Sequence, residues 1–145
     1  MLKKALIDTD ILIEVLRGRH PQIVANARQY RLHFPAYTIS VVSVVEFLRG
    51  LVRKGAREAI TDWRNITTNQ SVETLSLDVP VAELAGEILG KLDQAGKPIG
   101  FADPLIAATA LHHELVLVTG NISHYQRIVD LGYSLELSNW REVGA

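Results

Sequence analysis

The chain has 145 residues, 48% of them hydrophobic, close to the usual size of one domain and enough to bury a sizeable core. Its 15 Lys and Arg against 16 Asp and Glu leave a formal charge of −1, so no general positive field marks a polyanion binder and any such contact must be local. The absence of cysteine excludes disulfides, thiolate zinc sites and a cysteine nucleophile, and suits a reducing cytoplasm.

The start, MLKKALIDTDILIEV, imitates a secretion signal, but Asp8 and Asp10 interrupt its apolar run. No later segment reaches about 18 uncharged apolar residues, so the expectation is a soluble cytoplasmic protein without membrane contact. Ala5 to Ile7 reads as a buried strand. Ile11, Leu12, Val15 and Leu16 then keep helical spacing until Gly18 and Pro21. A second helix is predicted over 22–31 and a second strand over 36–39. The next helix carries Val44, Val45, Phe47, Leu48, Leu51 and Val52 and ends near Gly55. Residues 57–65 form a further helix with Trp63 on its apolar side.

Residues 72–77 alternate as a strand, and 81–92 form an amphipathic helix. Gly96, Pro98 and Gly100 make a turn before a helix over 104–112. The most strand-like run is 115–118; a short helix over 125–131 and an edge strand over 135–137 complete the chain. With no internal repeat or linker, residues 1–145 are expected to form one α/β domain. Strands separated by helices imply right-handed crossovers, hence a three-layer sandwich around a mainly parallel sheet of about five strands.

Three carboxylates stand where a strand gives way to a helix: Asp8 in ALIDTDILIEV, Glu46 in TISVVSVVEFLRG and Asp103 in PIGFADPLIAATA. In a parallel sheet such positions line one crevice, where gathered acids most plausibly hold a hard cation. Each also has a purely structural reading. Thr9 or Asp10 can cap the first helix, a role expected of Asp10. Asp8 ends an apolar strand, where an unpaired carboxylate is expensive. Ser43-x-x-Glu46 matches a capping box, although Ser40, Ser43 and Glu46 also share a helix face. Pro104 at the first helical position would make Asp103 an N-cap.

After the best strand comes Val118-Thr119-Gly120-Asn121-Ile122-Ser123-His124-Tyr125, a polar strand end suited to ligand contact. Asn121 there has the alternative of a turn residue, and His124 that of a helix start. His112 and His113 complement a helix dipole and have no site role.

Together these pieces resemble the PIN-domain ribonucleases, specifically the toxins of VapBC-type toxin–antitoxin modules. The carriers are LIDTDILI, the IS..S..EFLRG stretch, FADPLIAATA and VTGNISHYQRI, in the family's order over nearly the whole chain. The resemblance implies a PIN-like fold and a metal-dependent endoribonuclease with Asp8, Glu46 and Asp103 as catalytic, metal-binding acids. It assigns Thr9, Ser43 and Asn121 to supporting or substrate contacts, with products carrying 5′-phosphate and 3′-hydroxyl ends. His124 departs from the pattern, standing where many members carry an aspartate, so a second tightly held metal is in doubt.

Oxygen ligands without sulfur suit magnesium (Mg2+), with manganese (Mn2+) as a substitute, and a bound water as nucleophile. Arg17, Arg49, Arg53 and Arg127 are candidate phosphate contacts, or simply solvated helix faces. The implied partners are an RNA substrate, a second copy of the chain in a homodimer, and a cognate antitoxin covering a groove and the active site. The faces around Leu12, Leu16, Phe47 and Leu51 are candidates for that groove. Two rivals stand beside this reading. Asp8-x-Asp10 also resembles the start of a haloacid-dehalogenase-like phosphatase, whose late acidic motif is missing here. The other rival is a non-catalytic PIN-fold module that binds RNA or protein.

Overall fold

In this computed structural model, which describes residues 2–68 and 71–145, every strand is separated from the next by helix, two helices in each of the first three connections and one in the last. The order is β1 (Ala5–Ile7), α1 (Thr9–Arg17), α2 (Pro21–Arg31), β2 (Tyr37–Ser40), α3 (Val41–Arg53), α4 (Arg57–Thr68) and β3 (Val72–Leu75), then α5 (Val79–Gln94), α6 (Ala102–His112), β4 (Val116–Val118), α7 (Ile122–Asp130) and β5 (Leu137–Ser138). Every strand pairing is parallel, in the spatial order β3-β2-β1-β4-β5. The chain therefore runs outward from β1 in one direction and returns to start again on its other side at β4. That reversal opens a crevice beyond the carboxyl ends of β1 and β4.

The strands alternate as a sheet covered on both faces demands. Leu6 and Leu117 point into a core built with Val81, Ile88, Ile106 and Ile128 of α5, α6 and α7. Their neighbours Ala5, Ile7 and Val118 point to the opposite core, with Ile11, Leu12, Ile23 and Trp63 of α1, α2 and α4. This is the expected three-layer arrangement, with the sheet entirely parallel rather than mainly so.

The last residues are tied down by aromatic packing and a clamp. Trp140 is buried and lies 5.5 Å from the Tyr30 ring centroid. The Asn26 amide donates to the carbonyls of Trp140 and Glu142, both at 2.9 Å.

Several element boundaries differ from the sequence expectation. The last strand is Leu137–Ser138; Leu135 is buried in the core but does not join the ladder. The helix expected from 125 begins at Ile122, and the strand expected to reach 77 ends at Leu75. The helix expected from Pro104 begins at Ala102, so Asp103 sits in its first turn rather than capping it. No capping box forms at Ser43, since β2 runs to Ser40 and the Ser40 hydroxyl caps α3 instead, accepting from the Val42 N–H at 3.1 Å.

Candidate active site

Asp8, Thr9, Asp10, Glu46, Asp103, Gly120 and Asn121 line one pocket of about 250 Å3 at the crevice. The three acids expected to converge do so, joined by Asp10. Asp8 occupies the N-cap of α1, the role expected of Asp10, and both its oxygens are engaged. Oδ1 accepts from the Thr9 N–H at 2.8 Å, and Oδ2 accepts from the buried Thr119 hydroxyl at 2.8 Å. The residue expected in the acidic site therefore also caps the helix.

Asp8 is 5% exposed, and its pKa rises from 3.8 to about 7. Burial is the largest cause, followed by the negative charge of Asp10 and, more weakly, of Asp103; the two hydrogen bonds oppose the rise. Asp10 is also raised by burial, against the pull of the Gly120 and Ile11 N–H groups and of Arg141. Its Oδ2 accepts from Gly120 N–H at 3.0 Å and lies 3.7 Å from Arg141 Nη1. Asp10 therefore clips the loop after β4 onto the start of α1.

Glu46 reaches the crevice from the second turn of α3. The Thr9 hydroxyl lies 2.7 Å from Glu46 Oε1 and 2.9 Å from Ser43 Oγ. A hydroxyl carries one proton, and the charged acceptor takes it, so Ser43 serves as donor to Thr9 Oγ1. Ser40 and Ser43 do not reach the crevice together as one hydroxyl face: Ser40 is spent on its cap, while buried Ser43 steadies Thr9.

Asp103 is held from α7. The Tyr125 hydroxyl donates to Oδ1 at 3.3 Å, and its own pKa stands well above 10 because burial and the Asp8 and Asp103 charges oppose ionisation. His124 Nδ1 lies 3.2 Å from Asp103 Oδ2 and 2.9 Å from the Asn121 amide. One ring nitrogen cannot accept from an amide while donating to a carboxylate. Donation to Asp103 requires Asn121 to present its carbonyl oxygen to the ring.

Among the described residues no group of three or more His, Asp or Glu stands close enough together, as placed, to hold a metal ion. The donor set nevertheless fits a hard cation, because its side chains offer oxygen and no sulfur, and because a buried carboxylate beside two others is relieved by positive charge. An open arrangement suits magnesium, which keeps several waters and takes only one or two carboxylates.

Beside the crevice, and sharing Glu46 with it, runs a larger groove of about 400 Å3 between α1, α3 and α4, lined by Ile13, Leu16, Phe47, Gly50, Leu51 and Trp63. Leu16, Phe47 and Leu51 are where the sequence placed a partner surface. Leu12 is not, being fully buried in the core. Of the candidate phosphate contacts, Arg17 lies along this groove 3.6 Å from Glu14, and Arg127 donates to the Pro98 carbonyl. Thr119, Tyr125 and Arg141 were not singled out from the sequence. Thr119 and Tyr125 lie within the Val118–Tyr125 stretch read as a polar strand end, and asking what orients each acid would have given them their roles; nothing local flags Arg141.

The chain belongs to the PIN domain family, whose pattern it matches over residues 5–128. Among its relatives, Ribonuclease VapC10 of Mycobacterium tuberculosis is 33% identical over 124 residues, covering 83% of this chain and 84% of that protein. The tRNA(fMet)-specific endonuclease VapC of Salmonella typhimurium is 26% identical over 129 residues, covering 86% and 92%. The solved structure of VapBC-1 from nontypeable Haemophilus influenzae superposes with a TM-score of 0.77 at 26% identity, over 95% of this chain and 98% of that one.

Proposed function

We infer that this chain is a VapC-type PIN ribonuclease, the toxin of a VapBC-type toxin–antitoxin module, and that it hydrolyses RNA phosphodiesters in the crevice of Asp8, Glu46 and Asp103. The observation that carries the reading is a buried carboxylate at the end of β1, pushed up to about 7, with three further carboxylates lining the same small pocket. So much unneutralised charge costs stability unless a cation is bound there in use. Asp8 and Asp103 would hold magnesium or manganese, with Glu46 as a third ligand or as orienter of its water. When bound, the ion lowers the pKa of a coordinated water and neutralises the phosphodiester.

The remaining work falls to the chain's own groups. Thr119 and the Thr9 N–H fix both oxygens of Asp8, and Tyr125 and His124 fix those of Asp103. Thr9 holds Glu46 Oε1 and leaves Oε2 to accept the proton of the attacking water. That water adds to phosphorus, the bond to the 3′ oxygen breaks, and the leaving oxygen takes up a proton from solvent, giving 5′-phosphate and 3′-hydroxyl ends.

The groove between α1, α3 and α4 is the seat of the antitoxin. It is apolar, exposed and continuous with the crevice through Glu46, so one helix with a short extension covers both. Among the described residues no helix is long and apolar enough to cross a membrane. The phosphatase rival needs Asp10 as a free acid or base. Here Asp10 accepts from two backbone N–H groups and faces Arg141. Incubating purified protein with initiator tRNA and a total RNA pool, with magnesium and then with EDTA, tests the reading. Metal-dependent cleavage is expected, and intact RNA in both would overturn it.

A further inference from the structure

We propose that Arg141 seats a phosphate of the RNA at the mouth of the acidic crevice, and that glycine at position 120 makes room for the guanidinium beside the Asp10 carboxylate. The proposal rests on the ribonuclease reading and adds a substrate-positioning residue that lies outside every motif of the site.

The geometry is unusually restrictive. A Cβ added to Gly120 would lie 1.7 Å from Arg141 Nη1, 2.7 Å from Asp10 Oδ2 and 2.8 Å from Arg141 Cζ. Gly120 has no left-handed φ, so its backbone does not require glycine; the guanidinium and the Asp10 carboxylate together leave no room for a side chain while Arg141 stays where it is. The Arg141 backbone is fixed on both sides. Trp140 before it is buried, Asn26 clamps the carbonyls of Trp140 and Glu142, and the Arg141 N–H donates to Asn139 Oδ1 at 3.1 Å. The chain thus invests a buried aromatic residue and a two-pronged amide clamp to bring one cation to the crevice, 131 positions after Asp10.

What the guanidinium does there is left open by its present contacts. Asp10 Oδ2 is 3.7 Å away, beyond hydrogen-bond length, and the side chain is 37% exposed. Among the described residues no hydrogen bond from its guanidinium is made. Five N–H donors in a planar fork face one distant carboxylate and solvent, which suits an oxyanion that can take two donors at once. A polyanion approaching four carboxylates in a chain of charge −1 needs such a local cation. Arg17 is turned to Glu14 and Arg127 to the Pro98 carbonyl, so neither serves this rim.

Steady-state cleavage of initiator tRNA by the full-length protein in magnesium, at several salt concentrations, tests this. Arg141→Ala should raise KM about tenfold with kcat within about twofold, the loss of one charge-assisted phosphate contact. The slope of log kcat/KM against log salt should become shallower by about 0.7, one single-strand phosphate. Arg141→Lys should keep the parent slope but recover only part of KM, because it retains charge without the fork. Gly120→Ala should raise KM in the parent by pushing the guanidinium out, and have a clearly smaller effect in an Arg141→Ala background, where only the contact with Asp10 Oδ2 remains. An unchanged KM and salt slope in Arg141→Ala, a fall in kcat at constant KM, or an equal Gly120→Ala effect in both backgrounds overturns the proposal while the parent still cleaves. A parent that cleaves no RNA overturns the ribonuclease reading itself. Should Arg141→Ala fail to fold, Arg141→Lys and Gly120→Ala decide between the same outcomes.

Discussion

Replacing Asp8 by asparagine should stabilise the metal-free protein at alkaline pH while abolishing its activity. The native pKa of about 7 against an ordinary 3.8 means that the folded state holds the proton more tightly than the unfolded chain. Stability therefore falls as pH rises through that interval and stays low above it. At about 1.4 kcal/mol per pH unit the full interval amounts to about 4 kcal/mol. The amide keeps one acceptor oxygen, for Thr9 or for Thr119, and loses the other at about 1 to 2 kcal/mol. A net gain of about 2 to 3 kcal/mol remains at alkaline pH, or ~6 to 9 °C in Tm for a chain of this size.

Thermal melts followed by circular dichroism between about pH 4.5 and 8.5, in EDTA and in magnesium, read this directly. In EDTA the gap between variant and parent should open with rising pH and close or reverse near the acid end. Magnesium should raise the parent and leave the variant almost unmoved, since only the parent offers the full ligand set. A gap independent of pH, or a parent more stable than Asp8→Asn in EDTA throughout, would refute the claim that burial and neighbouring acids work against a charged Asp8.

Glu46→Gln and Asp103→Asn should each lose at least ~10²-fold in single-turnover cleavage without loss of fold, and a variant retaining near-parent rates would release its residue from the site. Activity removed by EDTA should return with magnesium or manganese but hardly with zinc, because the ligands are hard oxygens; zinc restoring the full rate would contradict that ligand set. His124→Asp adds a carboxylate beside Asp103, so half-maximal activity should need less magnesium than in the parent, and His124→Ala should need more; superimposable magnesium titrations would show that the ring only packs there. Gly50 has open space where a Cβ would stand, so Gly50→Phe should fill the groove, preserve cleavage and weaken antitoxin capture by at least ~10-fold in a binding titration; undiminished capture would move the antitoxin to another surface.

The sequence carried the strands and the three acids well, because both are local. A strand of three apolar residues ending in Asp8, or a polar break after Val118, is visible within a short window. It carried the function of individual caps less well. The Ser43-x-x-Glu46 spacing satisfies a capping box on paper, but the box forms only if the helix starts at Ser43, and pairing of Ser40 with Leu75 in the sheet settles that start earlier. Asp103 was misplaced for a similar reason, since the helix begins two residues before the proline that usually announces it.

The contacts that orient the acids were largely invisible. Thr119 meets Asp8 across 111 residues, and Arg141 meets Asp10 across the sheet switch point. Such pairings are fixed by strand order, which no single window encodes. The two-residue strand β5 and the aromatic cluster around Tyr30 and Trp140 place Arg141, and neither has a pattern that distinguishes it from an ordinary terminal loop.

The central position of β1 has a consequence for the timing of activity during synthesis. Its two neighbours are β2, made soon after it, and β4, whose Val116 pairs with Ala5. A nascent chain on the ribosome owns Asp8, Thr9 and Glu46 early, but lacks the strand that completes the floor of the crevice, the hydroxyl that holds Asp8, and the helix that delivers Tyr125 and His124 to Asp103. Such long-range parallel pairing is also slow to form. An RNA-cleaving chain built in this order has no complete crevice until β4 and α7 have been made and packed against β1.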